Sequence, residues 1–86
     1  MNALNSSPIF RPISIGNVKI KNRLVVAPMV SVYCDTDGMA TERFIAYHET
    51  KAKGGWGMII IEDYAVDPLG RGFWTAGLWK DEQIQS

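Results

Sequence analysis

One cysteine and one histidine are all that these 86 residues hold of the two side chains most used for metal ligation and nucleophilic chemistry. The lone Cys34 cannot form an internal disulfide, and no cysteine and histidine cluster stands at zinc spacing, so no metal site is expected. A reducing, cytoplasmic setting is the expectation. Long hydrophobic runs are missing as well. The longest, residues 24–29 with Val30 after them and residues 58–61, fall far short of the roughly 20 residues that cross a bilayer, so no membrane is expected. Residues 1–11 lack a basic start followed by a long apolar stretch and do not read as a secretory signal. Nor is there an excess of charge: nine basic residues balance nine acidic ones. That balance leaves no electrostatic footprint for nucleic acid or anionic lipid. Internal repeats and low-complexity segments are also absent.

What is there is 47% hydrophobic and 21% charged, the composition of an ordinary globular chain. A small-molecule partner is expected, with oligomerisation left open. Ile13-Ser14-Ile15 and Val18-Lys19-Ile20-Lys21 alternate apolar with polar around Gly16-Asn17. That pattern predicts a hairpin, because two-residue connections need positive φ and glycine and asparagine supply it. Leu24-Val25-Val26-Ala27 has no polar face, which predicts a strand buried on both sides in a parallel sheet, ended by Pro28. After a loop over residues 31–40, Thr41 is placed to cap a helix through Phe44, Ile45, Tyr47, His48 and Ala52, with Glu42 at its positive end. Lys51 and Lys53 suit its other end, and Gly54-Gly55 stop it. Gly57-Met58-Ile59-Ile60-Ile61 then reads as a second buried strand, followed by Glu62 and Asp63. Residues 67–80 read as a long loop, a length that tends to be functional. Asp81 is placed to cap a further helix from Glu82.

The order is hairpin, strand, helix, strand. Two parallel strands cannot make a stable sheet alone, since both apolar faces and the outer backbone groups would meet water. The predicted fold class is therefore α/β, the N-terminal part of a (β/α)8 barrel: bottom hairpin, strand 1, helix 1 and strand 2. Such a barrel takes about 250 residues, so residues 1–86 supply roughly a third, an incomplete domain that stops before the later strands.

The stretch Ile9-Phe10-Arg11-Pro12-Ile13-Ser14-Ile15-Gly16, with Ile20-Lys21-Asn22-Arg23-Leu24-Val25-Val26-Ala27-Pro28-Met29, resembles the N-terminal signature of the old yellow enzyme family of FMN oxidoreductases. Lys51-Ala52-Lys53-Gly54-Gly55-Trp56-Gly57-Met58-Ile59-Ile60-Ile61-Glu62 is similar to that family's first barrel helix end and second strand. Val66-Asp67-Pro68-Leu69-Gly70-Arg71 and Trp79-Lys80-Asp81-Glu82-Gln83-Ile84 resemble the loop and helix start that follow. Several motifs in the right order are far more specific than any one of them.

The resemblance implies that Ala27, Pro28, Met29 and Val30, at the end of the first strand, lie beside the FMN ring. Barrel sites sit at the C-terminal ends of strands, and Met29 brings a polarizable sulfur. Asp63 stands where the family usually has a small residue whose backbone contacts the flavin. A carboxylate there opposes the charge of reduced flavin, so it must turn away, pair with a cation or serve a divergent substrate; otherwise it is a turn residue. Tyr33 lies near the position of an active-site tyrosine in one branch of the family, with spacing from Pro28 longer by one, and is the candidate catalytic residue. Local aromatic packing is the competing reading. Relatives that oxidise methylamines attach FMN through a cysteine two residues after the position of Pro28. Val30 stands there, so covalent flavin is not expected and Cys34 reads as an ordinary thiol. His48 reads as a packing histidine far from the strand tips, and Arg71 as solvent-directed. Gly54-Gly55-Trp56-Gly57 is no phosphate loop, because it follows a helix and opens a strand.

By this resemblance the intact protein is an enzyme that passes hydride from NADH or NADPH through FMN to an activated alkene or similar electron-poor substrate, while residues 1–86 alone are inactive. An iron-sulfur cluster and FAD enter only with a C-terminal extension, as in the longer relatives. Two alternatives stand beside it. One is an amine dehydrogenase of the trimethylamine dehydrogenase type, which Trp56 and the Asp63-Tyr64 pair suggest. The other is a non-catalytic βαβ module that completes a partner's barrel.

Overall fold

Gly16 carries φ of 57°, and on it turns the first element, an antiparallel hairpin of β1 (Ile13–Ile15) and β2 (Val18–Ile20). The register pairs Ile13 with Ile20, Ser14 with Lys19 and Ile15 with Val18. Only the glycine uses positive φ; Asn17 does not. A single left-handed residue at the first central position is the glycine-led form of primed turn. The structure is a computed structural model that describes residues 6–86. Residues 1–5, which open the stretch read as lacking a secretory signal, lie outside the described residues.

Beyond the hairpin, β3 (Val25–Val26) and β4 (Met58–Ile59) pair in parallel, Val25 opposite Met58 and Val26 opposite Ile59. The Leu24 carbonyl accepts from the amides of Gly57 and Met58 at 3.1 and 3.3 Å, and the Val26 carbonyl from that of Ile60 at 3.0 Å. The crossover is α1 (Glu42–Lys53). Thr41 starts it as expected, its Oγ1 accepting from the Phe44 amide at 3.1 Å, which satisfies an otherwise orphaned donor. Gly54 is the C-cap, and Gly55 beyond it takes φ of 98°, the left-handed turn that ends the helix.

The predicted burial of the two strands is not found within this chain. Val25, Ile60 and Ile61 are each more than 40% exposed, and of α1 only Phe44 is buried. One face of two strands and one side of one helix cannot enclose each other. Among the described residues, the buried hydrophobic ones are Cys34, Phe44 and Ala76, with Tyr33, Ala40 and Tyr64 packed around them. The radius of gyration, 16.1 Å, exceeds the roughly 12 Å of a compact domain of this length. No helix among the described residues is long and apolar enough to cross a membrane.

Residues 67–80 are more ordered than a loop. A 3-10 turn, Pro68–Gly70, is capped by the Asp67 carboxylate accepting from the Leu69 amide at 2.8 Å. β6 (Ala76–Gly77) then pairs in parallel with β5 (Tyr64–Ala65), an element that two residues of alanine and glycine do not announce. The short helix α2 (Glu82–Gln85) begins where expected, but Asp81 makes no capping bond. Gln83 replaces it: its Oε1 accepts from the amides of Trp79 at 2.7 Å and Lys80 at 3.3 Å, while its Nε2 donates to the Asp37 carbonyl at 3.0 Å. Arg71 is a second correction. It turns away from solvent and donates to the carbonyls of Thr75, Asp35 and Thr36, binding two loops together.

Candidate functional site

Because β3 and β4 run parallel, the segments that follow them leave from the same end of the sheet. Ala27, Pro28, Met29 and Val30 continue β3, and Ile60, Ile61, Glu62 and Asp63 continue β4. The two segments are tied directly. One carboxylate oxygen of Glu62 accepts from the Ser31 amide at 3.1 Å and from the Ser31 hydroxyl at 2.6 Å. Side chains alternate along extended backbone, and here Glu62 is buried while Asp63 is exposed.

Ala27, Pro28, Met29 and Val30 are all exposed, Met29 at 69%. An open apolar strip with no charged side chain, edged by a polarizable sulfur, fits the rim of a flat aromatic ring such as a flavin. Asp63 makes no ion pair or hydrogen bond among the described residues. Of the alternatives for Asp63, pairing with a cation is not seen among the described residues. The backbone between the strip and Tyr33 is unusual. Val32 has φ of 60°, a left-handed value that a β-branched residue rarely adopts.

Tyr33 is half-buried and its ring lies on α1. It meets the Tyr47 ring edge-on at 5.3 Å, with the Arg43 guanidinium 4.0 Å from its centroid. Its amide donates to the Ser31 hydroxyl at 3.3 Å, and its carbonyl accepts from the Thr41 hydroxyl. The loop is thus tied to both the strand tip and the helix cap.

His48 packs as a core histidine would, its ring 4.8 Å from Phe44 and 5.2 Å from Tyr47. Its expected distance from the strand tips is wrong, because Nε2 lies 3.9 Å from Glu62 Oε1. Both ring nitrogens of His48 and the second carboxylate oxygen of Glu62 are buried without a hydrogen-bond partner among the described residues. Cys34 is buried close by. Burial, and then the Glu62 and Asp35 carboxylates against the opposing Arg71, push its thiol up to about 11. Burial first, then Cys34 and Glu62, raise the Tyr64 hydroxyl above its ordinary value. A thiol held protonated is inert, in keeping with the expectation for Cys34.

Sequence reasoning missed Glu62 and Ser31. A lone carboxylate after four apolar residues, on the face that alternation assigns to the buried side, was the available signal.

The family model for the NADH:flavin oxidoreductase / NADH oxidase family matches residues 8–86. NADPH dehydrogenase of Listeria welshimeri is 38% identical over 80 residues, 91% of this chain and 24% of that protein. N,N-dimethylglycine/sarcosine dehydrogenase of Chromohalobacter salexigens is 48% identical over 52 residues, 60% of this chain and 8% of that protein. Among solved structures, old yellow enzyme from Pichia sp. AKU4542 superposes with a TM-score of 0.86 at 28% identity, covering 95% of this chain and 22% of that one. The chain therefore spans about a quarter of the length of the NADPH dehydrogenase it matches. Its hairpin, β3, α1 and β4 are the opening elements of a (β/α)8 barrel. With the match running through nearly all of its length, the chain belongs to the NADH:flavin oxidoreductase / NADH oxidase family, of which old yellow enzyme is a structural representative.

Proposed function

We propose that the protein carrying this chain binds FMN and passes hydride from NADH or NADPH to a small electron-poor substrate such as an activated alkene. The observation that carries this reading is the exposed apolar strip of residues 27–30 at the shared C-terminal end of two parallel strands, where barrel enzymes keep their sites. FMN, when bound, supplies the hydride chemistry; the protein positions it and excludes water. Ala27, Pro28, Met29 and Val30 would rest against the ring edge. Asp63 would lie on the substrate side, where its exposed carboxylate favours substrates with a complementary polar group. Tyr33 is the one candidate for substrate contact that the resemblance offers on this chain, but its packing against Tyr47 and Arg43 of α1 supports the local-packing reading instead. On the same reading residues 1–86 form the opening of an FMN-binding barrel whose later strands cover the exposed faces of β3, β4 and α1. Alone they should bind FMN poorly and catalyse nothing.

The intact protein, assayed with NADH and NADPH against an enone, and with an artificial electron acceptor in place of nicotinamide against a tertiary amine, tests this. Stoichiometric FMN and enone-dependent nicotinamide oxidation are expected. Colourless protein sinks the flavin reading. Turnover of the amine alone moves the assignment to amine oxidation, the reading that the similarity to N,N-dimethylglycine/sarcosine dehydrogenase favours.

A further inference from the structure

Glu62 is the one buried carboxylate among the described residues, and the reading above assigns it nothing. Its side chain has no exposed surface. Enclosing a carboxylate costs stability unless strong hydrogen bonds offset it, so its partners reveal what it is for. Both hydrogen bonds it makes among the described residues go to a single residue, Ser31, through the amide and the hydroxyl. The same hydroxyl accepts from the Tyr33 amide at 3.3 Å. Between them Val32 is held at φ of 60°. Ser31 directly follows the apolar strip of residues 27–30. A group on the second strand thus fixes the exit of the first, and holds the intervening backbone in a conformation that valine disfavours.

We propose that Glu62 is a positioning residue: through Ser31 it sets the height and angle at which residues 27–30 meet the flavin. The inference rests on the FMN reading above. Glu62 cannot itself touch substrate, because its carboxylate lies wholly beneath the surface. Its action is transmitted by the two bonds to Ser31.

The test uses the intact protein with Ser31→Ala, Glu62→Gln, Glu62→Ala and the Ser31→Ala/Glu62→Ala double variant. The readouts are the dissociation constant for FMN, the position of the visible flavin bands, and kcat and KM with an enone. Ser31→Ala removes only the hydroxyl bonds, and is expected to weaken FMN binding about tenfold and shift the flavin bands. Glu62→Ala should do more, and the loss in the double variant should fall well short of the sum of the two single losses, since both substitutions remove the Ser31–Glu62 linkage. Glu62→Gln keeps a carbonyl acceptor for Ser31 and should rescue FMN binding to within about threefold of wild type. Wild-type protein that binds FMN, with Ser31→Ala and Glu62→Ala matching its dissociation constant and spectrum, overturns the role of Glu62 and leaves the flavin reading standing. Fully additive losses overturn it too. Wild-type protein that takes up no FMN overturns both. If Glu62→Ala does not fold, Ser31→Ala and Glu62→Gln decide by the same criteria.

Discussion

Asn22 occupies the space that a side chain on Gly57 would need: a β-carbon there would lie 2.4 Å from the Asn22 carbonyl oxygen and 2.5 Å from its Oδ1. Asn22 is fixed by its own bonds. Its Nδ2 donates to the Gly55 carbonyl at 2.9 Å and its Oδ1 accepts from the Leu24 amide at 3.0 Å. The end of the hairpin is thus locked to the entry of β4, and through it the register of the parallel pair that carries both strand tips.

Gly57→Ala should therefore destabilise the intact protein by roughly 1–3 kcal/mol through overpacking. The φ of Gly57 is not in the left-handed region, so the loss comes from the Asn22 clash and not from backbone strain. Asn22→Ala, which removes the amide oxygen along with its two bonds, should cost less in the Gly57→Ala background than in wild type. Denaturant titration measures both, and a neutral Gly57→Ala shows that the approach of Asn22 is looser than described.

Arg71 should prove structural. Its Nε and Nη2 donate to the Thr75 carbonyl at 3.0 and 2.7 Å, and Nη2 also reaches the Asp35 carbonyl at 2.8 Å. A planar fork can span these acceptors and an ammonium cannot, so Arg71→Lys should behave more like Arg71→Ala than like wild type. Loss of the charge-assisted bonds to these carbonyls should cost about 2–3 kcal/mol and speed proteolysis within residues 67–80. Unchanged cleavage rates in both variants exclude the clasp.

The elements of the fold whose cause is local were legible in the sequence. Gly16 gave the hairpin, Thr41 and Gly55 the two ends of α1, and the unbroken apolar runs at Val25-Val26 and Met58-Ile59 the parallel pair. What was not legible depends on distant partners. Arg71 reads as solvent-directed until the carbonyls of Asp35 and Thr36, some 35 residues earlier, are brought beneath it. Ala76-Gly77 has no strand propensity and pairs only because Tyr64-Ala65 presents an open edge. Glu62 and Asp63 look interchangeable in sequence; the pleat alone buries one and exposes the other. The strip at residues 27–30 was found through the family resemblance, whereas the Ser31 tether behind it required coordinates.

Cys34 should resist alkylation. With its thiol pushed up to about 11, only about one molecule in 10⁴ carries thiolate at pH 7. Labelling of the folded intact protein by iodoacetamide should rise steeply only above about pH 9, while unfolded protein reacts at the ordinary rate. The linked effect on stability has a definite sign. A folded-state value above the unfolded one means that the folded chain holds its proton longer, so this contribution is whole below pH 9 and is lost as pH rises toward 11. Because the Glu62 charge helps to raise the thiol, Glu62→Gln should move the labelling curve to lower pH. A curve centred on the ordinary thiol value in wild type refutes the burial of Cys34.

Val32 offers a separate measure of what the Ser31 tether holds in place. A β-branched residue at φ of 60° carries roughly 1–3 kcal/mol of backbone strain. Glycine adopts that conformation freely, at an entropic cost of about 0.5–1 kcal/mol from the unfolded chain. Val32 is 48% exposed, so little packing is lost with its side chain. Val32→Gly should accordingly raise the thermal midpoint of the intact protein, an unusual outcome for a glycine substitution. It should also change what Ser31 contributes. If the bonds from Ser31 to Glu62 and Tyr33 restrain a loop that would otherwise relax, removing the strain leaves them less to restrain, and Ser31→Ala should cost less stability in the Val32→Gly background than in wild type. Equal penalties in the two backgrounds mean that the tether and the strained residue are independent, and a lowered midpoint in Val32→Gly alone means that the left-handed conformation is not strained at all.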